Sequence, residues 1–176
     1  MIIVNWKKIS LIVFILLLTA GNAFANNLSI SNVSLEDRDS AQDTAIVEFD
    51  LSWDNSWKNT TNYDTIWIVV KVQVGSTWYH GYLYSGGTDP SGTSPGSNKD
   101  LEISVPTDYR IYTGQSSTAR YIGVFIYRKS TGTGTVTSAN VRVKLDYATT
   151  ASIGGVTIAD TTNITVKVFG VEMVYI

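Results

Sequence analysis

Residues 65–74 read TIWIVVKVQV, and this stretch decides the fold. Its even positions are all isoleucine or valine, which is the period of two expected of a β-strand. Trp67 and Val69 make the other face apolar as well over the first half of the stretch. A strand with two apolar faces is typical of a central, doubly covered position in a sheet. The sequence therefore predicts a buried central strand here.

The same alternation recurs on both sides of this stretch. In residues 45–53, Val47, Phe49 and Leu51 share one face, while Glu48 and Asp50 take the other. Helical periodicity is nearly absent. The remaining predicted strands are residues 28–35, 77–84, 101–105, 120–128, 135–147 and 163–175. Eight strands with no helix between them predict an all-β, antiparallel β-sandwich of jelly-roll-like topology.

Glycines mark two of the predicted turns and bends. Gly75 and Ser76 link two strands as a two-residue hairpin of the Gly-first type. In the last strand the apolar residues change from even to odd positions at Phe169–Gly170, which predicts a β-bulge or strand bend there. The loops are predicted at residues 54–64, 85–100 and 130–134.

The first 25 residues have the pattern of a secretory signal peptide. Lys7 and Lys8 precede an apolar run of about ten residues, too short for the roughly 20 that a membrane-spanning helix needs. Ala23 and Ala25 then form the small-x-small pattern that a signal peptidase reads. We expect residues 1–25 to be removed and residues 26–176 to form a single exported domain without a membrane span, in the periplasm, at the cell surface or outside the cell.

Composition excludes several classes of function. The chain has no cysteine, so disulfides, a cysteine nucleophile and a cysteine-ligated zinc site are ruled out. A net charge of -2 gives no electrostatic footprint for nucleic acid. The single histidine, His80, lies mid-strand, and no hydrolase or phosphate-binding motif accompanies it. We therefore predict no catalytic residues and a protein that is not an enzyme.

Aromatic residues are the more suggestive candidates. In residues 77–84, alternate positions would place a row of aromatic rings on one face of a strand. Trp53 and Trp57 bracket a polar turn. Exposed rings beside polar groups suit stacking on sugar rings, although packing is the more common role of aromatic rings in strands. The candidate ligand-binding residues are Trp53, Trp57, Trp78, His80, Tyr82 and Tyr84.

An acidic turn between the first two predicted strands is the one candidate for a metal. Glu36, Asp37 and Asp39, with Asp43 nearby, could supply oxygen ligands to calcium. Their spacing does not fit an EF-hand loop, and a solvated turn explains them as well. We therefore predict no cofactor, with calcium as the alternative.

Four segments together resemble a known module. They are WDNSW at 53–57, VFIYR at 124–128, TGTGTV at 131–136 and VFGVEMVYI at 168–176. The chain is similar over nearly all of residues 26–176 to the N-terminal β-domain of secreted bacterial proteins. The C-terminal half of those proteins is a formylglycine-generating-enzyme-like (sulfatase-modifying-factor) domain.

The resemblance implies an accessory role. In such relatives a segment like residues 171–176 leads directly into the second domain, which is absent here, so none of its residues can be carried over. We expect either an N-terminal fragment whose partner is that domain in cis, or a free-standing module. A glycan or a protein at the cell surface is the expected partner in the second case. The long apolar last strand, if exposed, would invite pairing with another chain.

Overall fold

The computed structural model describes residues 26–106, 120–159 and 161–175. The predicted signal peptide, residues 1–25, lies outside the described residues. Within them the chain forms nine strands and one short helix. None of the helices in this part of the chain is long and apolar enough to cross a membrane. The elements are β1 (Ser29–Asp39), β2 (Thr44–Lys58), β3 (Tyr63–Val74), β4 (Thr77–Leu83), β5 (Gly87–Thr88), β6 (Leu101–Val105), β7 (Val124–Arg128), β8 (Gly132–Asp146), α1 (Tyr147–Gly154) and β9 (Ile164–Tyr175).

All strand pairings are antiparallel and join the nine strands into one sheet, so the all-β prediction is confirmed. The order is β1-β2-β8-β4-β3-β7-β6-β5, with β9 added beside β3. The hairpin prediction at Gly75 is also confirmed. Val74 pairs with Thr77, and Gly75 has a φ of 61°.

The predicted central strand is β3, and both of its edges are paired. β9 runs along one edge over the whole length of β3, from the pair Tyr63–Tyr175 to the pair Val74–Ile164. The other edge is shared: β7 pairs near the start of β3, and β4 pairs near its end. Ile66 and Ile68 on its inward face are completely buried.

One hydrophobic core lies beneath β3. Alternate residues of β2 and β8 point towards the inward faces of β3, β6 and β7. The apolar side chains of these five strands therefore pack into a single cluster. The largest fully buried side chains are those of Trp53, Tyr147, Phe49, Leu51, Ile66, Ile68, Leu101, Ile103, Ile126 and Leu145.

Several predicted boundaries are wrong. β8 begins at Gly132, inside the loop expected at residues 130–134, and β1 runs to Asp39, through the acidic segment expected to form a turn. Residues 54–64 were expected to form a loop, but β2 continues to Lys58 and β3 begins at Tyr63. The turn is only residues 59–62, where the Asn59 side chain accepts hydrogen bonds from the N–H groups of Thr61 and Asn62. The loop expected at residues 85–100 contains the two-residue strand β5.

The sequence also gave no sign of α1. Asp146 caps its first turn by accepting hydrogen bonds from the N–H and hydroxyl of Thr149. Gly155, at a φ of 63°, ends the helix in the left-handed conformation. With eight residues, two of them threonines, α1 is too short and too poor in helix-favouring residues to show a period.

Of the β-bulge or strand bend predicted at Phe169–Gly170, the bulge is wrong. The register between β3 and β9 is continuous through this point. The apolar pattern changes phase because both faces of β9 carry apolar residues, in different halves of the strand. Gly170 instead leaves room for β1: a Cβ there would lie 2.9 Å from Ile30 Cδ1 and 3.1 Å from Leu28 Cδ2.

Gly170→Val should therefore destabilise the fold by about 1–3 kcal/mol, because the added methyl groups overpack the contact with Ile30. Gly132→Val is the matched control, since a Cβ at Gly132 meets nothing within 4 Å. Urea unfolding of both variants measures the difference. Equal stabilities of the two variants would contradict this account of Gly170.

Candidate functional site

The most prominent surface feature is an apolar strip on the outward side of β3, β7 and β9. Register sets it: Trp67 lies opposite Phe125 on one side and Val171 on the other. The Trp67 and Phe125 rings are in contact, with centroids 4.5 Å apart. On β9, Phe169, Val171 and Met173 are 50%, 57% and 44% exposed. We call these five residues the outer strip.

A small cleft adjoins the outer strip. It has a volume of about 90 Å³, and its walls are Tyr63, Phe125 and Tyr127, with Thr65 and Ser104 between them. Tyr63 and Tyr127 stack with their centroids 4.7 Å apart. We call this the aromatic cleft. Its volume is well below the roughly 300–1,000 Å³ of small-molecule pockets, so it is sized for a single side chain.

Two charged side chains contact the tyrosines of the aromatic cleft. Lys58 Nζ lies 5.3 Å from the Tyr63 ring centroid and 5.1 Å from that of Tyr127, while it donates to the Arg128 carbonyl. The Tyr127 hydroxyl donates to the Glu102 carboxylate. Burial, followed by this hydrogen bond, raises the pKa of Tyr127 well above its ordinary range. The phenol therefore stays neutral, as a hydrogen-bond donor to Glu102.

The predicted aromatic row on β4 exists, but its members differ in exposure. Trp78 and Tyr84 are 37% and 40% exposed, whereas His80 and Tyr82 are half-buried. Each exposed ring already has a cation near it. Lys167 Nζ lies 4.8 Å from the Trp78 centroid, and Lys144 Nζ lies 4.1 Å from that of Tyr84. A sugar ring stacking on these faces would have to displace the lysines.

His80 is held within the sheet surface. Its Nε2 lies 2.8 Å from the Ile122 carbonyl oxygen, and its ring meets that of Tyr82 edge-on at 5.0 Å. Burial lowers the pKa of His80 below its ordinary value. The ring is therefore neutral near pH 7, with Nε2 placed to donate to the carbonyl. These contacts give it a packing role.

Trp53 does not lie on the surface. Its side chain is fully buried, and its Nε1–H donates to Asp64 Oδ2 at 2.8 Å. Asp64 Oδ1 also accepts from the Ser56 hydroxyl and the Trp57 N–H. No ligand can reach the Trp53 ring, so we remove Trp53 from the candidate set. Trp57, half-buried beyond a register shift in β2, remains in it.

The acidic segment lies in β1 rather than in a turn, and two of its carboxylates are engaged by protein contacts. Asp37 pairs with Arg142, and Asp39 accepts hydrogen bonds from the N–H groups of Ala41 and Gln42. Arg38 reaches across to the Thr162 carbonyl. Within the described residues, no group of three or more His, Asp or Glu side chains is arranged to hold a metal ion. The geometry gives calcium no support here.

A second, polar cleft was not foreseen from the sequence. It has a volume of about 270 Å³ and is lined mainly by residues of β2 and β8, away from the residues of the outer strip. Two bulges create it: Asn32 in β1 and Asn140 in β8 both have positive φ beside Asp50. Its lining is Ser31, Asp50, Leu51, Ser52, Ser97, Thr137, Ser138 and Ala139.

Among the described residues that line this cleft, Asp50 is the only charged one, and its carboxylate is already engaged in hydrogen bonds within the protein. Its carboxylate accepts the Asn140 N–H at 2.9 Å and the Asn32 side-chain amide at 2.7 Å. These two hydrogen bonds hold the pKa of Asp50 below its ordinary value. The carboxylate thus fixes both bulges. This structural role accounts for the carboxylate without a ligand. The role could not be predicted from the sequence, because it depends on how the bulged strands pair.

Comparison of the chain with protein-family models, with curated proteins and with solved structures finds no match. Function must therefore be argued from the two surfaces. The polar cleft holds hydroxyl groups around one committed carboxylate. The outer strip exposes contiguous apolar area beside a cleft of side-chain size. An exposed patch of this kind is the stronger indicator of a binding surface.

Asp64→Ala should destabilise the fold by about 3 kcal/mol, because it leaves the Trp53 side-chain N–H and the Trp57 backbone N–H without their acceptor. Asp54→Ala is the control, since that carboxylate also accepts two side-chain hydrogen bonds but lies at the surface. Urea unfolding compares the two variants. The assignment fails if Asp64→Ala loses no more stability than Asp54→Ala.

His80 should make stability depend on pH. Because its pKa is lower in the folded protein, the unfolded chain binds the proton first. The stabilisation is complete above the ordinary histidine pKa of about 6.5 and declines as the pH falls below it. We expect wild type to lose more free energy of unfolding than His80→Phe between about pH 7.5 and about pH 5.5. Parallel losses in the two proteins would contradict the prediction.

Proposed function

We propose that this chain is an exported, non-catalytic interaction module of a bacterial surface or secreted protein. Its principal binding surface is the outer strip with the aromatic cleft, and its partner is a protein. The observation that carries the proposal is the exposure of Phe169, Val171 and Met173 in one row beside the Trp67–Phe125 pair. Soluble monomers rarely leave such contiguous apolar area open unless another molecule covers it.

The aromatic cleft supports a protein partner over a small ligand. Its volume suits one apolar side chain, and buried anchors of this kind carry most of the energy in protein interfaces. Lys58 and Glu102 at its rim offer a cation and an acceptor to polar groups around such an anchor. An apolar centre with a polar rim is the usual anatomy of an interface.

A jelly-roll-like sandwich is the topology we propose for the module. The packing of β2 and β8 against β3, β6 and β7 supports two layers around one core, with β4 pairing across to both β3 and β8. The signal-peptide pattern of residues 1–25 supports export. The contacts of His80 and Asp50 support a role without catalysis, because both side chains are committed to the fold.

Carbohydrate binding is the second candidate, and it uses a different surface. Trp78 and Tyr84 are the exposed rings of the predicted row, with Tyr82 between them. The polar cleft adds hydroxyl groups but contains no ring. The lysines over both exposed rings weigh against this candidate, since they occupy the faces that a sugar would stack on.

The third candidate follows from the resemblance in sequence. If the chain is the N-terminal part of a sulfatase-modifying-factor-like protein, its partner is that domain in cis, and the module is an accessory to it. The unbroken pairing of β9 with β3 is compatible with this role, because it would anchor whatever follows to the central strand.

Binding of the fluorescently labelled protein to envelopes of the encoding bacterium tests the proposal. We expect protease treatment of the envelopes to abolish binding and periodate oxidation of their sugars to leave it intact. Phe125→Thr should weaken binding about tenfold or more, because Phe125 belongs to both the outer strip and the aromatic cleft.

Trp78→Ala and Tyr84→Ala are the matched controls, and we expect them to bind as the wild type does. Periodate sensitivity together with loss of binding in these two variants would replace the proposal with carbohydrate binding. Absence of binding to intact envelopes would reject a free-standing interaction module.

A further inference from the structure

One edge of the sheet ends in β9, whose far side pairs with none of the described strands, although Leu28 and Ile30 pack against it at Gly170. Among the strands of the described residues, β9 pairs only with β3, in a register without interruption. Its second row of backbone N–H and C=O groups therefore points away from the sheet. Such a row is a template for another strand.

The other long edge is protected, which makes the open one significant. Two register shifts interrupt the pairing of β1 with β2, and Asn32 and Asp37 have positive φ values of 52° and 44° there. Bulges of this kind twist an edge strand away from flat pairing. Over residues 164–175, β9 has no proline and no register shift. The chain thus protects one edge and leaves β9 suited to pairing.

We propose that a second copy of this chain covers that edge, by antiparallel pairing of β9 with β9 about a two-fold axis through Val171. An axis perpendicular to the sheet keeps outward residues opposite outward residues. Val171 then faces its own copy, and Phe169 faces Met173 of the other copy. The exposed apolar row therefore becomes continuous across both copies. The inference does not depend on the protein partner proposed above.

Charge and shape select this axis among its neighbours. With Val171 at the centre, Glu172 lies opposite Gly170, which has no side chain of its own, and the Glu172 carboxylate keeps the hydrogen bond that it accepts from Asn26. Moving the axis to Gly170 would put Glu172 opposite Val168 and Lys167 opposite Met173, so that both charges would face apolar side chains. No like charges meet in the proposed register, and a net charge of -2 sets little repulsion between copies.

The area available matches a weak but specific dimer. The overlap of residues 167–175 makes a strand about 30 Å long, and two stacked layers make the edge about 20 Å deep. Each copy would bury about 600 Å², which brings the total to about 1,200 Å², the lower limit of stable interfaces. We therefore expect dissociation in the micromolar range.

Light scattering after size-exclusion chromatography of the purified protein, from about 1 to about 100 µM, tests the dimer. Val171→Lys should be monomeric throughout, because it places two like charges directly opposite each other. Val171 is 57% exposed, so the substitution leaves the core untouched, which a thermal melt verifies. Val33→Lys, the same change on β1 at a residue 36% exposed, is the control and should dimerise as wild type does.

The position of the axis has its own test. Val171→Glu alone should also be monomeric, while an equimolar mixture of Val171→Lys and Val171→Glu should dimerise, because residue 171 then faces the opposite charge. A wild type that is monomeric at every concentration, or a Val171→Lys protein that still dimerises, overturns the proposal. A mixture that stays monomeric overturns the Val171 axis.

Discussion

The structure depends on the burial of one central strand, β3. β3 pairs with β9 along one edge and with β7 and β4 along the other, and its inward-facing isoleucines are fully buried. A strand in this position has no access to water for its N–H and C=O groups, so every one of them needs a partner in the sheet. Three strands share that edge: β7 pairs with Ile66–Ile68, β4 pairs with Val70–Val74, and Lys58 of β2 pairs with Tyr63 at the start of β3.

Much of this architecture could be predicted from the sequence because period-two alternation is a local signal. The even-position isoleucines and valines of residues 65–74 identified β3, and the Gly75–Ser76 pair identified its hairpin. Elements that depend on single capping contacts could not be found in this way. The helix α1 rests on Asp146 at one end and Gly155 at the other, and its sequence between them carries no amphipathic pattern.

The candidate site shows the same division more sharply. Trp53 and Trp57 look alike in the sequence, each beside a polar turn. A register shift in β2, with Asn55 at a φ of 54°, reverses the side-chain phase between them. As a result Trp53 enters the core and Trp57 faces outward. The outer strip could not be predicted for a related reason. Its residues come from three strands, and only the register brings Trp67 beside both Phe125 and Val171.

The paired bulges around Asp50 set a limit on how this chain can vary in length. In β8, Val136 and Val141 both point into the core although their numbers differ in parity, because residues 139–140 together oppose the single residue Asp50. Losing one residue from that bulge would reverse the facing of the strand on one side of it, exchanging buried for exposed side chains. Insertions and deletions are therefore far less tolerable here than in the turns. The number of residues between Val136 and Val141 is therefore constrained, because the bulge that Asp50 holds sets which side chains face the core.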